Sequence, residues 1–353
     1  MDGSDRDLQF YLCKGILNLT KSIFITGVAG FLGSHIADYF LNQGYKVAGC
    51  DNLFGGYLEN IPNGVEFYNH DITNINGFAN IMQGCDVIFA TAAMAYEGVS
   101  LFSPSFICEN IFTGSVNTFT AAIQAKVKRI VYCSSMARYG TNQTPFKESY
   151  IPMPQDPYGI AKEAAERVLA NLCKHHKVEY VIAVPHSIYG PRQKFDDPYR
   201  NVVSIMANLM LQGRQPIIYG DGEQKRCFSY ISDCVGTLAA MATNPNVIGE
   251  TINIGPDEEV ITINNLAEKL ANIIGINLNP IYMIGRPGEV TVATCSADKA
   301  RKLLGYETTV FIDEGLKHMV DWIKEKGPKP FEYHFDIEIL NKLTPKTWTE
   351  KII

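Results

Sequence analysis

From Ser22 to about Ser187, short apolar runs alternate with longer stretches in which apolar positions recur three and four residues apart. The runs at 22–26, 46–50, 65–68, 86–91, 129–133 and 179–184 are rich in β-branched and aromatic residues and predict buried strands; the stretches 31–42, 75–83, 106–126 and 158–175 predict helices. In the first of these helices Phe31, Ile36, Ala37, Phe40 and Leu41 share one face. Such alternation predicts an α/β fold with a doubly wound parallel sheet. After Tyr189 the pattern changes to helical stretches separated by Pro/Gly turns, such as Tyr189-Gly190-Pro191, Gly220-Asp221-Gly222 and Arg286-Pro287-Gly288. These predict a smaller, mainly helical lobe over the carboxyl ends of the strands, where open α/β sheets bind ligands. Thr251-Ile252-Asn253-Ile254 reads as one more strand returning to the sheet. Leu8, Phe10, Tyr11, Leu12, Ile16 and Leu17 fit a short docking helix within residues 1–21, and the proline-rich tail 327–353 either wraps the surface or frays.

Composition changes this picture mainly by exclusion. A chain of 353 residues with 46% hydrophobic and 19% charged positions can bury a large core. Its net charge of -6 argues against a nucleic-acid backbone as the main partner. No run reaches membrane-spanning length, the acidic first residues do not resemble a signal peptide, and the nine scattered cysteines read as reduced thiols, so a cytoplasmic protein is expected. His175 and His176 beside Cys173 do not share a helix face, and no metal site is read there.

The join between the first strand and the first helix carries the first candidate chemistry. Thr26 to His35 contains Gly27, Gly30 and Gly33, where glycine allows a sharp bend, close approach of a pyrophosphate to backbone N–H groups, and tight packing of helix on sheet. Gly-x-x-Gly-x-x-Gly alone is weak evidence, but the second strand ends at Asp51, about 20 residues on, where an acidic side chain meets the adenosine ribose hydroxyls. No Arg or Lys follows through Gly56 to pair with a 2′-phosphate, which favours NAD over NADP. The sheet is therefore expected to be of the Rossmann type, with Gly27, Ala29, Gly30, Phe31, Leu32, Gly33, Asp51 and Asn52 at the cofactor.

A second group of residues points to proton transfer. Tyr158 and Lys162 open a helix at i, i+4 spacing and share a face; a nearby ammonium lowers a tyrosine pKa and suits Tyr158 to exchange a proton with a substrate hydroxyl. Ser135, at the carboxyl end of the fifth strand, is placed to hydrogen-bond the same oxygen, with Ser134 nearer the cofactor. Taken singly, the same residues also fit a solvated lysine at a surface helix start and a serine turn capping a strand.

Together these motifs resemble the extended short-chain dehydrogenase/reductase family, and within it the nucleotide-sugar-modifying enzymes, most of all the 4-epimerases. The likeness covers about residues 22 to 325 and rests on Thr26 to Gly33, Asp51, Asp71, Asn110 with Gly114 and Asn117, Ser135 with Tyr139-Gly140, Tyr158 with Lys162, Tyr189 to Gln193, Gly220 to Arg226, and Arg286 to Glu289. It implies an NAD-binding Rossmann domain over 22–187 with the return strand near 251–254, and a nucleotide-sugar-binding lobe over 188–326. It places Asp71, Ile72, Ala92, Ala93, Asn110, Ser134 and Pro185 at the cofactor beside Tyr158 and Lys162. It places Glu97, Ser135, Met136, Ser187, Tyr219, Arg226, Arg286 and Glu289 at a nucleotide-diphosphate sugar, the two arginines on its diphosphate. It also implies a homodimer packed through the helices at 106–126 and 158–175.

Absences narrow the chemistry. Relatives that dehydrate carry Asp-Glu directly after the hydroxyl residue, the decarboxylases usually place Glu at the second of these positions, and the 3,5-epimerases use a cysteine there; this chain has Met136 and Ala137. The resemblance thus implies C4 epimerisation of a nucleotide hexose through a transient 4-keto sugar. The alternatives are an NAD(P)H-dependent keto-sugar reductase and a noncatalytic nucleotide-sugar or NAD-binding protein. Ser187 stands where relatives usually have asparagine, and Glu97 and Arg138 are unusual near the catalytic turn. Either both shape sugar recognition or both pair with other charges of the protein.

Overall fold

The computed structural model describes residues 22–353; the docking helix read in 1–21 lies outside them. Seven parallel strands form the central sheet: β1 (Ser22–Thr26), β2 (Lys46–Asp51), β3 (Val65–Asn69), β4 (Val87–Ala90), β5 (Arg129–Cys133), β6 (Glu179–Pro185) and β7 (Thr251–Ile254). Their spatial order is β7-β6-β5-β4-β1-β2-β3, so the winding reverses between β1 and β4. A reversal of this kind opens a crevice at the carboxyl ends of the strands. Side chains alternate across the sheet with period two. Ile23 and Ile25 of β1 enter one core with Phe89, Val131 and Val181, whereas Phe24 enters the other with Ile88, Ile130 and Ile182.

Helix α1 (Phe31–Asn42) covers the first core with Ile36, Ala37 and Phe40; α2 (Gly114–Gln124) and α3 (Pro157–His176) cover the second with Phe119, Ala122, Ala165 and Leu169. Two predicted helices differ in detail. The stretch 75–83 is helical only over Phe78–Ile81, because Gly77 and Gly84 on either side take left-handed φ of 73° and 78°. The stretch 106–126 starts earlier, with Pro104 in the first turn, and widens into a π-helical turn at Glu109–Thr113 before α2.

Helices α4 (Val202–Leu211), α6 (Ile263–Ile274) and α7 (Ile312–Lys326) pack around Met206, Leu270 and Leu316 to form the smaller lobe. The residues 188–326 do not all belong to it. Helix α5 (Ile231–Met241) and the helix Asp298–Leu304 lie on the sheet, with Cys234, Leu238 and Ala300 buried in the same core as Ile23. The physical reason is that β6 and β7 are parallel neighbours, so the chain between them must cross over the sheet, and α5 makes that crossing. The tail wraps rather than frays: Glu332 N donates to Asp196 O at 2.8 Å, and Trp348 is 5% exposed. Among the described residues no helix is long and apolar enough to cross a membrane.

Candidate active site

The glycine turn closes on two main-chain contacts. Gly27 N donates to Cys50 O at 2.7 Å with φ of 74°, and a Cβ there would stand 2.9 Å from Ala92 Cα. A Cβ on Gly33 would stand 2.1 Å from Gly27 O, so only hydrogen fits where α1 meets the turn. No side chain caps the start of α1, and Gly30, Phe31, Leu32 and Gly33 line a cavity of about 510 Å³ with the helix N-terminus directed into it. Ala29 does not line it; its N–H donates to Asp51 Oδ2 at 3.0 Å, while Leu53 N donates to Asp51 Oδ1 at 2.8 Å. Burial pushes the Asp51 carboxyl up, and these N–H groups oppose that. Asp51 and Asn52 both face the cavity.

Asp71 faces away from the cavity. Asn52 Nδ2 donates to it at 2.8 Å, and Thr73 gives its N–H at 2.8 Å and hydroxyl at 2.7 Å. Partial burial opposes ionisation of Asp71, but these bonds outweigh it and hold the carboxyl below its ordinary value. Its place in the structure is to fix Asn52, and the neighbouring His70 and Ile72 line the cavity instead. Ala92, Ala93, Pro185 and Asn110 complete this end, the last carried on the π-helical turn with Nδ2 donating to Phe106 O at 2.8 Å.

The reactive pair follows from the start of α3. Asp156 accepts from Gly159 N at 2.8 Å and Pro157 occupies the first turn, which sets Tyr158 and Lys162 one turn apart, 7% and 2% exposed. Ser135 caps the short turn Met136–Arg138, accepting from Ala137 N at 3.2 Å, and its hydroxyl faces the Tyr158 phenol. The expected lowering of the Tyr158 pKa by Lys162 does not dominate. Burial raises it well above the ordinary tyrosine value, Ser135 opposes, and Glu97 and Asp156 add to the rise. Lys162 instead donates from Nζ to Cys133 O at 2.7 Å, 6.0 Å from the Tyr158 ring centre, and burial pulls its own pKa down to about 8.

Ser134 lines the cavity but turns its hydroxyl to Glu166, which pairs with Arg138 at 2.8 Å; all three are buried. Arg138, stacked over the Tyr139 ring, is therefore held by a protein carboxylate and does not reach the sugar side. Of the two unusual charges only Glu97 faces the cavity. Burial first, then Asp156, raises its carboxyl to about 7, while Arg226 and Arg286 pull the other way. Those arginines meet over Glu289, at 3.7 and 2.9 Å, and Arg286 also lies over the Tyr219 ring, 5.0 Å from its centre. Ser187, with φ of 45°, and Met136 line the wall between the two ends.

Several cavity residues had no motif to announce them. Arg200 donates to Asp197 at 3.1 Å and to Gly55 O at 3.2 Å, lies over the Tyr96 ring, and faces the same space as Asp51. Thr347 and Trp348 reach the cavity from the tail, where few apolar positions drew notice. Arg200, nine positions past Pro191, carried no spacing signal, and Trp348 was marked only as a lone tryptophan in a polar tail.

The glycine turn that a Cβ would fill, the uncapped α1 N-terminus and Asp51 fit a dinucleotide pyrophosphate and ribose, and the arginine pair fits a second diphosphate. Comparison with known proteins agrees. The chain is 33% identical over 310 residues to a putative UDP-glucose 4-epimerase of Methanocaldococcus jannaschii, covering 86% of this chain and 99% of that protein. A UDP-N-acetyl-alpha-D-glucosaminuronate decarboxylase of Bacillus cytotoxicus is 29% identical over 87% of this chain and 99% of its own length. The solved structure of a UDP-glucose 4-epimerase with UDP-glucose from Thermotoga maritima superposes with a TM-score of 0.82 at 32% identity, covering 86% and 99% of the two chains. In each of these comparisons about a seventh of this chain lies outside the match. The sequence profile of the NAD dependent epimerase/dehydratase family matches residues 23–255. With glycine turn, Asp51, Ser135, Tyr158 and Lys162 gathered around one cavity on this sheet, the chain belongs to the NAD-dependent epimerase/dehydratase family.

Proposed function

We propose that this enzyme inverts C4 of a nucleoside-diphosphate hexose, with uridine the base that its relatives' names support. The observation that carries the reading is one cavity holding Ser135 and Tyr158 between a dinucleotide cradle and an arginine pair, with Met136 and Ala137 where eliminating and decarboxylating relatives hold acids. Glu97 supports it further, since a carboxylate facing the sugar would repel a uronate. Arg226 and Arg286 hold the diphosphate, exchanging their bonds to Glu289 for phosphate oxygens. Tyr158 takes the proton of the C4 hydroxyl and returns it, and Ser135 hydrogen-bonds the same oxygen. Lys162 in the next helical turn contributes positive charge toward the phenolate. When bound, NAD supplies a reversible hydride acceptor for C4, and the protein supplies orientation and electrostatics.

In this reading 22–187 with β7 and its crossover holds NAD, and the lobe holds the nucleotide. The protein is cytoplasmic, and it pairs as a homodimer through α2 and α3, where Ile160 is 52% exposed. Proton NMR of the purified protein with UDP-glucose, UDP-N-acetylglucosamine, UDP-glucuronate or GDP-mannose, without added cofactor, tests the reading. Interconversion of a C4 pair is expected; turnover only of a keto sugar with NAD(P)H would make it a reductase. Tyr158→Phe is expected to lower turnover at least ~100-fold while NAD stays bound, and an active variant would overturn the assignment.

A further inference from the structure

Residues 327–353 tie the two halves of the molecule together across the cavity. At the lobe, Lys329 N donates to Asn208 Oδ1 at 3.0 Å and its carbonyl accepts from Asn208 Nδ2 at 2.8 Å. At the sheet domain, the Glu338 carboxylate accepts from Ser105 N and Phe106 N at 2.9 and 2.8 Å, and Ile339 N donates to Phe102 O at 2.9 Å. The last turn, Lys346–Thr349, folds back over the cavity: Tyr333 donates to Thr347 O at 2.7 Å, and the Thr347 hydroxyl bonds to that of Tyr219.

Trp348 lies against Phe102 and Tyr199, with ring centres 6.0 and 5.7 Å apart. Its Cη2 is 3.6 Å from the point where a Cβ on Gly98 would stand, and Arg286 Nη1 is 3.2 Å from that same point. The indole also belongs to the apolar cluster that contains Tyr158. It therefore bounds the stretch of cavity between the proton-transferring phenol and the arginine pair. A group joined to a diphosphate and presenting a hydroxyl to Tyr158 must fill that stretch, and that group is the sugar.

We infer that the strap is a wall of the substrate site and that Trp348 is a specificity-determining residue, packing its ring on the pyranose carbons and limiting the bulk of the sugar. An aromatic face suits the C–H surface of a pyranose, and Thr347, tied to Tyr219, holds the ring in place. The inference rests on the nucleotide-sugar reading, and the test separates the two.

Holoprotein carrying Tyr158→Phe is titrated calorimetrically with UDP, UDP-glucose and UDP-N-acetylglucosamine, with and without Trp348→Ala. UDP-glucose is expected to weaken at least 10-fold while UDP stays within twofold, and the preference for UDP-glucose over the bulkier sugar is expected to shrink. Unchanged UDP-glucose affinity, or equal weakening of UDP, overturns the wall while leaving the epimerase reading intact. Failure of UDP itself to bind the parent overturns the nucleotide-sugar reading and the wall with it. Should Trp348→Ala not fold, Glu338→Ala removes both acceptors at the strap's exposed anchor and carries the same test: selective weakening of UDP-glucose supports the wall, and unchanged affinity overturns it.

Discussion

Glu97→Gln isolates the most unusual charge in the cavity. The carboxyl is raised from its ordinary 4.5 to about 7, chiefly by burial, with Asp156 adding and Arg226 and Arg286 opposing. Between those two pH values the folded protein binds more protons than the unfolded chain, so stability falls as pH rises through that window. The penalty is absent below pH 4.5 and complete above 7. The full difference corresponds to about 3 kcal/mol, but the side chain is exposed to the wide cavity, and screening by its water reduces this to roughly 1–2 kcal/mol. Glutamine keeps the shape and removes the charge. The variant is therefore expected to melt about 1–3 °C above the parent at pH 8 and nearly with it at pH 5. Calorimetric scans from pH 5 to 8 check this. A melting difference that stays flat across the range, or shrinks as pH rises, would refute a net stability cost of the Glu97 charge. The same variant is expected to shift the ratio of kcat/KM for UDP-glucuronate over UDP-glucose upward by about tenfold, as removal of one like charge at short range implies.

Two further outcomes follow from other contacts. Gly33→Ala sets a methyl group 2.1 Å from a main-chain oxygen that cannot swing aside; the purified variant is expected to lose its bound NAD, and absorbance showing full NAD content would be inconsistent with the cradle. Arg138→Leu strands the buried Glu166 and is expected to lower unfolding free energy in urea by about 3–5 kcal/mol, with Arg138→Leu/Glu166→Leu recovering much of it; a loss under about 1 kcal/mol would mean that the pair behaves like a surface bridge.

Wherever the physics is local in the chain, the sequence is readable. The parallel sheet, the glycine turn, Asp51 at the end of β2 and the Tyr158/Lys162 helix start each depend on residues within one or two turns of each other. Asp71 and Ser134 show where locality ends. Ser134 lines the cavity and Asp71 lies between residues that do, yet Asp71 is turned away by Asn52, and the Ser134 hydroxyl is taken by Glu166, 32 positions further on. Arg138 illustrates the same point, because an ion pair with Glu166 decides its direction and no spacing rule announces that pair. The division of the chain after Ser187 also needed topology: α5 is apolar like the lobe helices, and only the parallel pairing of β6 with β7 assigns it to the sheet.

The same distinction separates what this enzyme shares with its relatives from what sets it apart. The cradle and the reactive pair are built by contiguous motifs, which is why a sequence profile ending at residue 255 suffices to recognise them. The residues proposed to bound the substrate come from three distant segments: Glu97 from the helical turn after β4, Arg226 and Arg286 from the lobe, and Trp348 from the strap. None of them touches the hydride-transfer chemistry directly, so each can change without cost to the shared reaction. In that reading substrate choice in this chain rests on long-range contacts. In the proposed reading Glu97 disfavours uronates and Trp348 limits bulk, which together favour a neutral, unsubstituted hexose. Trp348 packs beside Gly98, the residue next to Glu97, so the two are close enough to couple: Glu97→Gln with Trp348→Ala is expected to change the UDP-glucuronate to UDP-glucose ratio by a factor that departs from the product of the single effects by more than about twofold, and strict additivity would show that strap and carboxylate act independently.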